Sequence, residues 1–450
     1  MPLDLPGGLR LRRLGAADAE ALAAFNADVL RRQDELEPDE RTAAWTRDLM
    51  SGRHPTFRPS EGTVVEDVRT GAIVSSALLL RQRWAYESVP ITVGQPELIG
   101  THRGYRGRGL VRRQLDVLHR WSAERGDDAT VISGIPGFYR QFGYELALEL
   151  GAGRLYFPAT MPGLDPAAAA AFRLRPAAEA DLTFIAETAR HGHGRYLVTL
   201  SATATDWRWW LSGQSAAHPH RSVFVVIETL DGRRLGFLGH RSRLWGSGLP
   251  VVTYELAPGV SWRAVWVSVL AYLQATGETY AARDGEKVFG SIGFWLGSEH
   301  PVYRIFRFPQ TMPGFAWYVR VADLTALLRK ISPALERRLA GSPLVSHDGE
   351  LRLGFYTDGV RLGFERGRLV GVERWQPPLD VVGEEQMMPT AAPRPHAMFP
   401  GLTFLELLFG FRSVDELRHA FPDVVLRTSE ARALLETLFP KRPSDTWAVL

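Results

Sequence analysis

The stretch "ELIGTHRGYRGRGLVRRQLDVLHRW", Glu97–Trp121, sets the terms for the chain. A run with strand character, Pro96 to His102, enters the turn Gly104-Tyr105-Arg106-Gly107-Arg108-Gly109. A helical pattern starts at once at Leu110 and runs to about Arg125, with Gly126 suited to end it. Glycines let successive backbone N–H groups converge. A new helix start adds unpaired N–H donors and partial positive charge. Together they make a seat for a phosphate or pyrophosphate, with Arg106 and Arg108 adding charge. No Gly-Lys-Ser/Thr follows, and no G-x-G-x-x-G lies in frame, so the nucleotide-loop fingerprints are absent. The plain alternative is a Gly-rich turn with a solvated basic face.

Around this stretch the chain is long for one core. Its 450 residues imply two to four domains at roughly 100–200 residues each. A net charge of +3 and no long Lys/Arg block argue against a nucleic-acid partner. With no cysteine, disulfides, thiolate nucleophiles and Cys-ligated zinc are excluded. The pairs His191/His193 and His218/His220 have no carboxylate at ligand spacing and read as surface-loop histidines, so no metal is expected. The N-terminus lacks a signal-peptide core, and the apolar run Ala264–Leu273 is too short to span a bilayer. A cytoplasmic protein with no membrane partner is the expectation.

The chain repeats itself. "LYFPATMPG", Leu155–Gly163, returns as "FRFPQTMPG", Phe306–Gly314, and "LRLR", Leu9–Arg12, as "FRLR", Phe172–Arg175. Between them, "YRQFGY", Tyr139–Tyr144, is matched with "FGSIGF", Phe289–Phe294, which has Phe289 where the first has Tyr139. Three landmarks in one order predict a duplicated domain. The expected units are residues 1–157, 172–310 and 316–450. The last carries a helix over Asp323–Leu339 capped by Asp323, then a β-meander over Glu350–Trp375 turning at Asp358-Gly359. The fold class is α+β.

At Ile99–Thr101 and Arg106–Val111 the sequence resembles the GNAT N-acetyltransferases. In that family the strand pairs with the pantetheine arm of coenzyme A, and an [QR]-x-x-G-x-[GA] loop cradles its pyrophosphate. Val111 departs from the final small residue, a departure shared by the Eis-like branch. That branch also has the expected layout over nearly the whole chain: two GNAT domains, the second degenerate, then a sterol-carrier-protein-like domain. The resemblance implies acetyl-CoA as cosubstrate, held by Ile99, Gly100, Thr101, Gly107, Arg108, Gly109, Leu110, Val111 and Arg112, with Gly134 and Ile135 beyond the next strand. It implies a small-molecule or peptide amine as acceptor and a homo-oligomer, a hexamer in that branch. Tyr139-Arg140-Gln141-Phe142-Gly143-Tyr144 matches the Y-x-x-x-G-[FY] motif, whose leading tyrosine protonates the departing thiolate. A phenol, with pKa about 10, can serve a thiol of pKa about 8.5.

An attacking amine must also lose a proton. Two bases are open: the C-terminal carboxylate of Leu450, by the Eis-like resemblance, and Glu97. The second copy lacks both the loop and, in Phe289, the hydroxyl, so it is expected to bind no coenzyme A. A non-catalytic protein that binds acyl-CoA or an apolar ligand is the rival reading, and a longer acyl donor is also open.

Overall fold

The computed structural model describes residues 2–31, 36–160, 163–285, 288–377 and 394–446. The first strands are β1 (Leu3–Leu5), β2 (Leu9–Arg13), β3 (Gly62–Asp67), β4 (Ala72–Tyr86), β5 (Val89–Thr101), β6 (Ala129–Ile132), β7 (Glu145–Leu150) and β8 (Gly153–Tyr156). Then come β9 (Arg173–Pro176), β10 (Val198–Leu200), β11 (Ser222–Glu228), β12 (Arg234–Arg241), β13 (Gly248–Leu256), β14 (Ser291–Phe294), β15 (Gln310–Met312) and β16 (Phe315–Arg320). The last are β17 (Gly349–Gly354), β18 (Gly359–Glu365), β19 (Arg368–Trp375), β20 (Ala397–Met398) and β21 (Val425–Leu426). The helices α1 (Ala19–Val29), α2 (Glu40–Met50) and α3 (Leu110–Glu124) flank the first sheet. The fold is α+β with mixed sheets. Among the described residues no helix is long and apolar enough to cross a membrane.

The first two sheets share one order. The first runs β2-β3-β4-β5-β6-β16-β7, with β1 outside β2 and β10 beside β4; the second runs β9-β11-β12-β13-β14-β8-β15. Each has one parallel pair, β5 with β6 and β13 with β14, and antiparallel neighbours elsewhere. A helix crosses between the parallel strands each time, α3 in the first and Trp262–Arg283 in the second, as parallel pairing requires.

The two sheets exchange a strand. β8 follows β7 directly but pairs with β14 and β15. β16 follows β15 but fills the slot between β6 and β7, with Tyr318 opposite Ile132 and Trp317 opposite Leu148. Trp317 and Tyr318 are 2% and 0% exposed, so the slot is core. The ranges 1–157, 172–310 and 316–450 therefore cut across sheets: each of the first two lends a strand, and β16 lies across the start of the third.

This order also corrects two of the sequence landmarks. The turn carrying Tyr139 lies between β6 and β7. Its counterpart between β14 and β15 is the short helix Pro301–Ile305, where "YRIF", Tyr303–Phe306, answers "YRQF", Tyr139–Phe142. Phe289 instead precedes β14 and packs on the long helix, where a Cβ at Gly277 would meet its ring. The second copy has kept the hydroxyl, in Tyr303. The F-P-x-T-M-P-G pair is also out of step: the first follows β8, while the second contains β15. The pair beginning at Leu9 and Phe172 is in step, on β2 and, from Arg173, on β9.

A third sheet, β19-β18-β17-β20-β21, carries the meander. The helix expected over Asp323–Leu339 is two, Leu324–Lys330 and Ser332–Ala340. Pro333, near the start of the second, supplies no N–H to continue the first. Asp323 caps the first through the Ala326 N–H at 3.0 Å. One apolar core runs from Trp84 and Trp317 through Trp207, Trp209 and Trp210 to Leu353 and Leu435, joining all three sheets.

Candidate active site

β5 and β6 pair only at Val93–Ala129 and Gly94–Thr130, then part. The register of β5 on β4 slips between the Ser76–Gly100 and Leu78–Glu97 pairs. At this bulge Leu98 has φ 49, a left-handed conformation rare outside glycine. Beyond it the side chains alternate faces, as along any strand. Leu98 joins Leu22, Leu49 and Phe57 on the α1/α2 face, while Ile99 packs with Leu118 on the α3 face. Gly100 lies against α1, where a Cβ would stand 2.9 Å from a Val29 methyl. Past Gly94 the edge of β5 facing β6 has no strand partner among the described residues, so the sheet opens as a wedge.

α3 points its N-terminus at this wedge. Gly107 and Gly109 have φ 75 and 71 and open space around them. The N-cap is Gly109, which has no side chain to cap the helix, and among the described residues the N–H groups near Gly109–Arg112 have no capping partner, as an oxyanion seat needs. Leu110 anchors the turn, 4% exposed. Arg106 donates to the Thr101 carbonyl at 3.2 Å, and Arg108 stacks 5.0 Å over the Tyr105 ring. Arg112 donates to Gln141 at 2.9 Å and lies 4.7 Å over Phe142. That contact ties the helix start to the turn carrying Tyr139. These residues suit a pyrophosphate.

Tyr139 is 6% exposed, ringed by Phe138 at 5.1 Å and Tyr318 at 5.6 Å. Its hydroxyl has no hydrogen-bond partner among the described residues. Burial first, then the charges of Glu97 and Tyr318, push its pKa up to about 12. Gly134 lies beside it: at φ 143, a Cβ there would come 3.2 Å from the Tyr139 ring and 3.5 Å from its hydroxyl. Ile135 is 62% exposed, at the rim. Tyr318 accepts the Gly137 N–H at 2.6 Å, so the exchanged strand holds the turn. Tyr144 is structural: fully buried, its hydroxyl is 2.7 Å from His119 Nε2.

Glu97 stands on β5 just before the bulge. The Gln95 amide donates to it at 2.8 Å and the Leu98 N–H at 3.3 Å. Gln82 in turn donates to the Gln95 carbonyl oxygen at 2.9 Å, which turns the Gln95 NH₂ toward the carboxylate. Burial raises the Glu97 pKa against both of its hydrogen bonds. Gln82, Gln95, Tyr318 and the bulge escaped the sequence reading, since their roles come only from strand pairing.

Leu450 lies outside the described residues. The tail before it is laid parallel to β10, with Asp445 beside Thr199, and Thr446 accepts the Trp317 indole N–H at 3.1 Å. A cavity of about 1050 Å³ opens among Glu149, Arg195, His300, Arg304, Phe315 and Lys441 and includes none of the expected site residues. Among the described residues no cluster could hold a metal.

The second sheet has the same parts used differently. Its crossing helix is capped by Ser261, whose hydroxyl accepts from the Ala264 N–H. Beyond the β13–β14 pairing, His300 Nε2 bonds the Tyr254 carbonyl at 2.9 Å, and Trp262 packs 4.9 Å from Tyr254. The Tyr303 hydroxyl donates to the Phe294 carbonyl at 2.6 Å and accepts the Leu296 N–H at 3.2 Å. The hydroxyl that has no partner among the described residues in Tyr139 is bound to backbone in Tyr303.

Residues 10–147 match the family described as Acetyltransferase (GNAT) domain. No curated protein matches the chain. Solved structures resemble it end to end. A GCN5-related N-acetyltransferase from Kribbella flavida is 16% identical, with TM-score 0.63 over 97% of each chain. A probable N-acyltransferase from Enterococcus faecalis is 12% identical, with TM-score 0.66 over 98% of each. Eis1 from Mycobacterium abscessus is 14% identical, with TM-score 0.55 over 98% of this chain and 99% of its own. At such identities the likeness establishes the fold. Whole-chain coverage is consistent with a tandem arrangement, and the domain match supports acyl transfer as the chemistry.

Proposed function

We propose that the protein is an acetyl-CoA-dependent N-acetyltransferase acting on a primary amine. The observation that carries this reading is the wedge of β5 and β6, with the uncapped start of α3 on one side and the unpartnered Tyr139 hydroxyl within. Gly107–Arg112 would hold the pyrophosphate, the free edge of β5 at Ile99–Thr101 the pantetheine arm, and Gly134 leaves room beside the phenol. Acetyl-CoA supplies the activated acetyl group.

The chain must move two protons. The amine nitrogen bonds to the acetyl carbon as the carbon–sulfur bond breaks. An amine of pKa about 10.4 arrives protonated at neutral pH, and Glu97 takes its proton. Tyr139 gives one to the sulfur and is reprotonated from solvent. The two groups are coupled. An ionised Glu97 holds the phenol pKa up; once protonated, it no longer does, and Tyr139 becomes the stronger acid as sulfur leaves. The second sheet, with its capped helix and filled wedge, serves as framework. By resemblance the third unit is sterol-carrier-like and the assembly a homo-oligomer, which sedimentation would measure.

Free thiol release from acetyl-CoA across polyamines, amino acids, aminoglycosides and peptides tests the reading. Release that depends on an amine and on Tyr139 supports it. No release with any amine, despite acetyl-CoA binding, would favour a non-catalytic binding protein. The feature behind that rival is a cavity of about 630 Å³ in the third unit, lined in part by Leu324, Phe355, Trp375 and Phe404.

A further inference from the structure

On the α1/α2 face of the first sheet, α2 and the loop after it meet the segment 209–221 that leads into β11. Two histidines read from sequence as surface residues lie here, His218 being 2% exposed. His54, 1% exposed, is electrostatically coupled to it. His54 Nδ1 accepts the Thr56 N–H at 3.2 Å, and His218 Nδ1 accepts the His220 N–H at 3.1 Å. Both rings are held neutral, at about 3, by burial first and by Arg58 and Arg241 second. A neutral ring that accepts at Nδ1 carries its hydrogen on Nε2. Both Nε2 atoms are buried without a partner.

So are the indole N–H groups of Trp45 and Trp209. These four rings are one cluster: His54 is 5.0 Å from Trp209, and Trp45 is 6.2 Å from His218. Among the described residues these four buried donors lack an acceptor, where buried polar groups are nearly always paired. Behind them, Arg221, Arg241 and Arg243 of the second unit bond backbone carbonyls at Gln214, His220 and Pro219. None has a salt-bridge carboxylate among the described residues. The Arg241 Nε is buried and unpaired, and burial lowers its pKa to about 10. The carboxylates at the edge are committed. Asp48 accepts the Ser215 N–H at 2.8 Å, and Asp39 pairs with Arg41 and Thr42.

Beside the cluster, next to His218 through Pro219, lies a groove of about 380 Å³ lined in part by Leu30, Asp39, Arg41, Pro219, Arg243 and Trp245; the four donor rings stand behind this lining rather than in it. Leu30 also touches the Gly100 position at the wedge, and Trp45 shares the apolar cluster of Leu98. The donor cluster thus adjoins the face on which an acceptor would meet Glu97. We infer that the acceptor amine carries an oxyanion, a carboxylate or a phosphate, held by Trp45, His54, Trp209 and His218 with Arg241 and Arg243 behind. This rests on the acetyl-transfer reading and gives its acceptor a class. A polycation would find donors and guanidinium charge where it needs acceptors.

The test uses the full chain with acetyl-CoA and three acceptors of one length: 6-aminohexanoate, 6-aminohexyl phosphate and 1,6-diaminohexane. At least one anionic acceptor should exceed the diamine in kcat/KM by about tenfold or more, and the two anions tell which oxyanion fits. His218→Phe and the half-exposed Arg243→Gln should each shrink that preference to within about threefold through KM, with kcat held. A diamine that is equal or better, or a preference that survives both changes, overturns the inference. Should no amine be acetylated, calorimetric titration of 6-aminohexanoate still decides. Saturable heat lost in His218→Phe keeps the oxyanion site while acetyl transfer falls, and no saturable heat removes both.

Discussion

Replacing Tyr139 with Phe removes one oxygen and little else. Ring contacts to Phe138, Phe142, Tyr144 and Tyr318 stay, and the lost hydroxyl had no hydrogen-bond partner to strand. Stability should therefore change by no more than about 0.5–1 kcal/mol, and the melting midpoint by a few degrees at most. The kinetic effect should be much larger. At about 12, the phenol lies roughly 3.5 units above a free thiol, a gap of about 5 kcal/mol. Proton transfer must then be concerted with carbon–sulfur cleavage, and Glu97 must lose its charge in the same step. A positioned general acid contributes about 10²–10⁴ in rate, or roughly 2.7–5.5 kcal/mol. We expect Tyr139→Phe to lower kcat by at least about a hundredfold, with kcat/KM falling equally and acetyl-CoA affinity within about twofold. Steady-state thiol release, with calorimetry for acetyl-CoA, measures each quantity. A kcat within about threefold of the parent would refute the assignment. So would a fall in kcat matched by loss of thermal stability, because the hydroxyl would then be structural.

Other outcomes follow from the same geometry. Burial raises the Glu97 pKa, and the base acts ionised, so activity should fall as pH drops through a value above the usual carboxylate range; Glu97→Gln should remove that limb of the profile and cut kcat by about 10²-fold or more. Gly134→Ala, strained at φ 143 and crowding the Tyr139 ring at 3.2 Å, should lower kcat and cost about 1 kcal/mol or more in denaturant unfolding; wild-type behaviour would place the phenol's working position elsewhere. A fragment of residues 1–157 lacks β16, leaving the β6–β7 slot empty, and should give no cooperative unfolding by circular dichroism; adding a peptide spanning 313–322 offers a rescue. Asp445 is raised to about 6, mainly by burial, so its contribution is complete at low pH and is lost as pH rises through about 6; Asp445→Asn should flatten stability between about pH 4 and 6.

Local structure was legible in the sequence. The Gly/Arg turn before α3 forms as read, because φ values of 75 and 71 at Gly107 and Gly109 need glycine and the helical pattern begins one residue later. The α+β class was legible too, as was the first-strand pair at Leu9 and Phe172. The turn carrying Tyr139 follows the strand β6, as its place in the sequence suggested. Glu97 was visible as a residue, but not as a carboxylate oriented by Gln95 and Gln82.

What tertiary structure decided depends on pairing between distant segments. The slot beside Tyr139 is filled by a strand whose Tyr318 meets Gly137 across 181 positions, and no local pattern encodes that choice. The bulge at Leu98 comes from register against β4, which slips between the Ser76–Gly100 and Leu78–Glu97 pairs. The match of Phe289 to Tyr139 was a likeness of letters; sheet order pairs Tyr139 with Tyr303 instead. The two copies differ not in owning a hydroxyl but in what the hydroxyl meets. In Tyr303 it is bonded to Phe294 and Leu296 backbone, and in Tyr139 it has no partner among the described residues. His218 likewise reads as a surface histidine until the second unit packs on α2. A side chain's type is written locally, but its burial and its partners are set only when the sheets close around it.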